Sequence, residues 1–250
     1  FNMKYFRSLW VILNLCIATV WTVILIILVG IIDDRKRYTG KVARFWAKWV
    51  MLSTGITVEV KGLENIVDGC QYIFTGNHES ALDIPVAIAS LPISPVFLAK
   101  KELFRIPVFG WGLKAAGMVR VNRQNREKAK VSVDRAVKIL HARDVSVIIY
   151  PEGTRSLDDR LLAFKKGGFL LAIRSGLPVV PITILGAQAI VSKKSLTLNP
   201  GKIRFIIDKP IPTTHMEDSH RDALLVQVRD IIQLRKTEYL SSGLTHDNHE

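Results

Sequence analysis

Cysteine is almost absent. The 250 residues hold two, Cys16 inside an apolar run and Cys70 in a turn-like segment. No disulfide framework or zinc spacing follows, which suits a reducing, cytosolic face. There is no G-x-S-x-G elbow, and neither cysteine has the context of a nucleophile, so no covalent enzyme intermediate is indicated. Gly110, Gly112 and Gly117 do not fall into G-x-G-x-x-G spacing, so a dinucleotide loop is rejected. Of six histidines, His215, His220, His246 and His249 lie in loop, helix and tail without ligand spacing, and no metal or other cofactor is expected. Internal repeats and low-complexity linkers are missing as well.

Acidic residues are few: 22 Asp and Glu stand against 35 Lys and Arg, a net charge of +13. Such a surplus favours nucleic acid, acidic lipid surfaces or phosphorylated substrates. Nucleic acid is the weakest of these, because aromatics crowd the first 50 residues instead of interleaving with cations on a strand surface. A positive mean hydropathy tilts the choice toward membranes.

Charge is absent altogether from Ser8 to Ile32. As a helix this run would reach roughly 37 Å, enough to cross a bilayer core. A buried core helix and a cleaved signal peptide are weaker readings: the run is too long, and no small-x-small site closes it. Met3 is expected to be the natural start, with Phe1 and Asn2 ahead of it. Arg35, Lys36, Arg37, Lys41, Arg44 and Lys48 follow, so this flank is expected on the cytoplasmic side. Val42, Phe45, Trp46, Trp49 and Val50 recur at helical spacing, either as an interfacial amphipathic helix or as packing for a globular domain. The two helices either span the membrane or form a hairpin in one leaflet.

From Ile56 the pattern changes to short β-like runs between helical ones. Strands are expected over 57–61, 71–75, 95–99, 118–121, 145–150, 179–185 and 203–207. Helices are expected over 84–89, 126–142, 167–175, with Gly176 closing the last, and 218–239. The fold class is α/β, with a largely buried mixed sheet flanked by helices and an N-terminal membrane-associated two-helix segment. The expected divisions are 1–54 for those helices, 55–240 for the α/β domain and 241–250 for a flexible tail.

Three constellations carry chemistry. Asn77-His78-Glu79-Ser80-Ala81-Leu82-Asp83 lies where a strand hands over to a helix. A straight helix would not stack residues five apart, but a non-helical step at His78 lets Asp83 reach the imidazole. A carboxylate on one ring nitrogen fixes the tautomer and raises the basicity of the other. The plainer alternative is a helix start capped by Asn77 or Ser80. Next, Lys100 and Lys101 follow a strand, and Arg120 and Arg123 bracket the end of another. Arginines there serve either as solvated charges or as bidentate phosphate grips. Third, Tyr150-Pro151-Glu152-Gly153-Thr154-Arg155-Ser156 leaves a strong strand through a tight turn. Gly153 admits a ligand close to the backbone, and Thr154 and Arg155 add a hydroxyl and a guanidinium; the alternative is an ordinary β-turn.

Together these blocks, with Pro178-Val179-Val180-Pro181-Ile182, resemble the PlsC-type glycerolipid acyltransferases, in particular the 1-acyl-sn-glycerol-3-phosphate acyltransferases. The likeness covers roughly residues 55 to 210, in the family's order. One departure is Val121-Asn122-Arg123, where the family often has Ile-Asp-Arg. The resemblance implies acyl transfer from acyl-CoA or acyl carrier protein to the sn-2 hydroxyl of lysophosphatidic acid. His78 would be the base and Asp83 its orienting partner. Arg123, Glu152, Gly153, Thr154 and Arg155 would form the phosphate site, with Asn77, Lys100 and Lys101 in support. Glu152, being anionic, is expected to bond loop backbone or an arginine. The implied partners are a phospholipid surface and the two substrates, not nucleic acid. The implied location is the cytoplasmic face of the cell's inner membrane. Another lysophospholipid or glycerol 3-phosphate is the alternative acceptor, and a lipid-binding scaffold without catalysis is the alternative class.

Overall fold

The uncharged run forms one long helix, α1 (Met3–Gly30), followed by α2 (Arg37–Thr54). The computed structural model describes residues 3–33, 37–121, 126–143, 145–156, 160–191 and 198–242. Asp33 closes the hairpin: its Oδ2 accepts from the Thr39 N–H and hydroxyl at 2.7 and 3.0 Å. The helices are then tied along their length. Trp46 Nε1–H donates to Thr19 Oγ1 (3.0 Å) and Trp49 Nε1–H to Asn14 Oδ1 (2.9 Å). The single apolar stripe expected on α2 is divided. Ala47, Val50 and Met51 are buried against the domain, while Phe45, Trp49 and Leu52 are exposed. The expected packing against the globular domain is present on one face, and the other face is left exposed.

Seven strands form one mixed sheet in the order β1-β7-β6-β2-β5-β3-β4. They are β1 (Ile56–Lys61), β2 (Ile73–Gly76), β3 (Val96–Lys100), β4 (Val119–Val121), β5 (Val147–Ile149), β6 (Val179–Leu185) and β7 (Gly201–Ile207). All adjacent pairs are parallel except β6 with β7. β2, β5 and β6 are buried throughout, which is why they read as continuous apolar runs.

Alternation along these strands feeds two cores. Phe74, Ile148, Val180, Ile182 and Ile184 point toward α2 and α3 (Asp83–Ser90), where Val86, Ala87 and Leu91 meet them. Ile73, Val147, Ile149 and Val179 point to the other face. There they meet Val133, Ala136 and Leu140 of α5 (Arg126–Arg143), Phe169 and Leu171 of α6 (Gly167–Ser175), and Leu224, Val228 and Ile232 of α8 (Arg221–Ser241). Gly176 closes α6 with φ 66°. A one-turn helix, α7 (Ala187–Ile190), follows β6.

One helix lies where the sequence marked no element: α4 (Phe109–Ala115). It is entered through Val108 at φ 62°, a tight turn in which the Phe109 N–H donates to Pro107 O (2.6 Å). A β-branched residue pays strain in that region. Packing explains α4, because a Cβ on Gly112 would stand 2.8 Å from Val23 of α1. The glycine lets α1 and α4 approach closely.

Candidate active site

Because β6, β2, β5, β3 and β4 run parallel, their C-terminal ends share one edge of the sheet. That edge carries Asn77 and His78 after β2, Tyr150 to Ser156 after β5, and Lys100 at the end of β3. Ligands in open α/β sheets collect there.

Residues 77–82 are not helical, and α3 begins at Asp83. The chain can therefore double back, and His78 Nδ1 lies 2.6 Å from Asp83 Oδ2. The same oxygen accepts the Glu79 N–H (2.7 Å) and the Ser80 N–H (2.9 Å). Asp83 is fully buried at the first turn of α3, where the helix dipole favours a carboxylate. Its Oδ1 has no hydrogen-bond partner among the described residues. A carboxylate can only accept, so the His78 proton sits on Nδ1 and the lone pair on Nε2 is left for chemistry.

Tyr150 stacks on His78, ring centroids 4.5 Å apart and planes 15° apart, and its hydroxyl donates to Asp83 O (3.1 Å). Burial and the charge of Asp83 push the Tyr150 phenol well above its usual value, so it stays neutral. The imidazole is thus fixed by a bond in its plane and a ring over its face.

The loop after β5 brackets His78 through its backbone. Glu152 Oε1 accepts the His78 N–H (2.7 Å), and the Ser156 N–H donates to His78 O (2.9 Å). Gly153, Thr154 and Arg155 lie between these two anchors and so must arch beside His78. Gly153 sits at φ 72°, a left-handed position, and the Lys165 side chain lies over it. Thr154 is exposed and Arg155 half-buried. Glu152 is buried, and its second oxygen takes the Leu162 N–H (2.9 Å). Its carboxylate bonds loop backbone, and with both oxygens engaged it offers no surface to a phosphate. Burial pushes this carboxyl above its usual range, while the His78 and Leu162 amides and the charges of His78 and Lys236 draw it back.

Asn77 acts as an extra sheet residue. Its Nδ2 donates to Ile184 O (2.8 Å) and Glu79 Oε1 (2.9 Å), and its Oδ1 accepts the Ile184 N–H (2.8 Å). Lys100 and Lys101 are paired with Glu102 at 4.0 Å. Lys100 stands two strands from β2, roughly 10 Å at ordinary strand spacing. Arg123 lies outside the described residues, as does Asn122. Among the described residues, no group of three or more His, Cys, Asp or Glu side chains could hold a metal ion.

Two contacts of this site escaped sequence reasoning. Tyr150 was visible as part of a motif, but its stacking role was not. Lys236, which pairs with Glu79, carries no motif signal at all.

Comparison with known proteins places the chain in a family. Residues 57–185 match the family model described as Acyltransferase. The chain is 37% identical over 181 residues to the chloroplastic 1-acyl-sn-glycerol-3-phosphate acyltransferase BAT2 of Brassica napus, covering 71% of this chain and 51% of that protein. It thus spans about half the length of the chloroplastic relatives it matches. The 1-acyl-sn-glycerol-3-phosphate acyltransferase of Saccharomyces cerevisiae is 31% identical over 230 residues, covering 91% of this chain and 76% of the yeast protein. The crystal structure of the 1-acyl-sn-glycerophosphate (LPA) acyltransferase PlsC from Thermotoga maritima superposes with a TM-score of 0.78. It shares 27% identity and covers 94% of this chain and 95% of that one. The matched segment holds both His78 and Glu152, and the likeness extends from sequence to fold: this chain belongs to the Acyltransferase family.

Proposed function

We propose that this chain transfers an acyl group from acyl-CoA or acyl carrier protein to the sn-2 hydroxyl of lysophosphatidic acid, forming phosphatidic acid. The names of its relatives support the acceptor class. The observation that carries the chemistry is the 2.6 Å contact between His78 Nδ1 and Asp83. Nε2 takes the hydroxyl proton as the oxygen attacks the thioester carbonyl, and Asp83 stabilises the imidazolium. The C–S bond then breaks, and the imidazolium returns its proton to the departing thiolate. No enzyme nucleophile is needed, because positioning a hydroxyl beside a base supplies much of the acceleration. The nearby serines support direct transfer. Ser80 Oγ donates to Val191 O (2.9 Å) and Ser156 Oγ to Arg160 O (2.8 Å). Arg155, and Lys165 lying over the arch at Gly153, suit the acceptor phosphate, and Arg123 is assigned there by family resemblance.

The domain works at a membrane surface, on the cytoplasmic face of the inner membrane. Ser8–Gly30 is long and apolar enough to cross a bilayer. Its contacts favour a different placement. Along its length α1 meets the domain or α2: Ser8 Oγ accepts the Leu198 N–H (3.2 Å), Asn14 meets Trp49, Thr19 meets Trp46 and Val23 meets Gly112. A helix crossing alone would leave these partners behind. The hairpin therefore rests in one leaflet, with Leu9, Trp10, Leu13, Trp21 and Leu28 exposed on α1 beside Phe45 and Leu52 of α2.

Purified protein in liposomes, given radiolabelled lysophosphatidic acid and either thioester, should form phosphatidic acid. His78→Ala should lose at least about 10²–10⁴-fold in rate. A panel with other lysophospholipids and glycerol 3-phosphate ranks the acceptors. Wild-type protein that makes no phosphatidic acid, or a variant as fast as wild type, defeats the proposal.

A further inference from the structure

We propose that Lys236, on α8, is a positioning residue for the His78–Asp83 pair, acting through the buried side chain of Glu79. This rests on the acyl-transfer reading above and goes beyond it, since Lys236 lies outside the family-matched residues 57–185.

The placement begins with the periodicity of α8. Leu224, Val228 and Ile232 recur every four residues and are buried against the sheet. Lys236 is the next position on the same stripe and is buried too, at 6% exposure. A lysine at the end of an apolar stripe ordinarily snorkels to water. This one turns inward, and its Nζ pairs with Glu79 Oε1, whose side chain is also buried. Desolvating two charges is expensive, and a hydrophobic pair of similar volume often serves stability as well or better. A gain in stability is therefore weak ground for keeping the pair.

Its connections are stronger ground. Glu79 stands between His78 and Ser80, and its own N–H donates to Asp83 Oδ2 at 2.7 Å. Its Oε1 accepts from both Asn77, which is tied to Ile184 on β6, and Lys236 on α8. Clamping the side chain fixes the direction of the peptide N–H, and that N–H fixes the oxygen that binds His78. Loss of Lys236 removes one tie from the Glu79 carboxylate and loosens Asp83. A misplacement of about 1 Å at a reacting pair costs up to about 10²-fold in rate.

Lys236 also acts electrostatically. Its charge is one of the influences opposing the burial that raises the Glu152 carboxyl. The other charged groups around Glu152 are the His78 imidazole, the Asp83 and Glu79 carboxylates, Lys165 over Gly153, and Arg229, which donates to Leu161 O. Without Lys236, Glu152 protonates at higher pH and stops accepting the His78 N–H as an anion. Without the Glu79 charge, Lys236 is unbalanced and holds Glu152 ionised to lower pH.

The test compares wild type, Lys236→Met, Lys236→Arg, Glu79→Gln and the neutral double variant in the phosphatidic-acid assay, per folded protein by circular dichroism. Lys236→Met should lower kcat by about 10–10²-fold with KM changed less than about twofold, and Lys236→Arg should recover part of the loss. The acid limb of the kcat/KM profile should move up in Lys236→Met and down in Glu79→Gln. Should a single variant fail to fold, the double variant removes the lone buried charge, and its kcat should still lie below wild type. Folded Lys236→Met or double variant with wild-type kcat, or acid limbs moving together, overturns the positioning role alone. A wild-type protein inactive on every acceptor overturns the acyl-transfer reading instead.

Discussion

Replacing Asp83 by asparagine keeps the shape of the site and removes one charge. In the present arrangement Asp83 Oδ2 accepts three hydrogens, from His78 Nδ1, Glu79 N and Ser80 N. An asparagine oxygen can take over those three. Its amide then falls where Oδ1 stands, which has no partner among the described residues. Burying an amide donor without an acceptor costs about 1–3 kcal/mol of stability, so the variant should fold with a lowered melting temperature. The catalytic loss is larger. As the hydroxyl gives up its proton the imidazole becomes a cation, and Asp83 stabilises it only then. With ~4 Å between charge centres and an effective dielectric of about 20, that attraction is ~4 kcal/mol. At 1.36 kcal/mol per decade the loss is about 10³-fold in kcat. KM should barely move, because neither ground-state substrate meets a charged imidazole. Initial rates of radiolabelled phosphatidic acid formation in liposomes, over a range of lysophosphatidic acid, separate the two constants. An Asp83→Asn enzyme within about tenfold of wild type, or one whose loss is carried by KM, would refute the proposed role of the carboxylate.

Two further outcomes test the fold and its placement. On the sheet edge, hydrogen bonding from Lys202 and the charge of Arg204 hold the Glu59 carboxyl at about 2. A depressed carboxyl stabilises the fold above its unfolded value of about 4.5 and loses that contribution as pH falls toward about 2. Glu59→Gln should therefore lower the melting temperature at pH 7 by at most about 2–4 °C and make no difference near pH 2; an effect that persists in acid would contradict this. On α1, Leu13 and Leu28 are exposed, and each is worth about 1.5–3 kcal/mol when buried in lipid. The Leu13→Glu, Leu28→Glu double variant should lose at least about 10²-fold in vesicle partitioning by flotation; undiminished flotation would place the lipid contact elsewhere.

How much of this was legible in the chain depended on range. β6 and α6 occupy the residues their apolar runs marked, because burial on all sides leaves a local signal. The reach of Asp83 back to His78 was legible as a possibility, since it needs only a non-helical step between two nearby residues. α4 was not, because glycines are poor helix formers and leave no apolar period; its glycine meets Val23, a contact with a distant helix. The divided stripe of α2 was hidden for a similar cause. Apolar residues on a helix do not say whether a protein core or a membrane will cover them. Lys236 looked like one more charge on a polar helix, and only the docking of α8 on β6 shows where it points. Nor could the sequence place β2 between β5 and β6, which is what brings Glu152 and Ile184 to either side of the His78 loop.

The Glu79–Lys236 contact joins residues 157 positions apart, and that separation has a consequence in time. The α1–α2 hairpin ends at Thr54, whereas Lys236 is made about 180 residues afterwards. At roughly 5–20 residues per second, the delay during synthesis is on the order of 10–40 s. The apolar hairpin is complete from the outset of that interval, while the histidine loop lacks its last support until the end. On the proposed function, a nascent chain can thus reach the membrane before its histidine loop is fully braced.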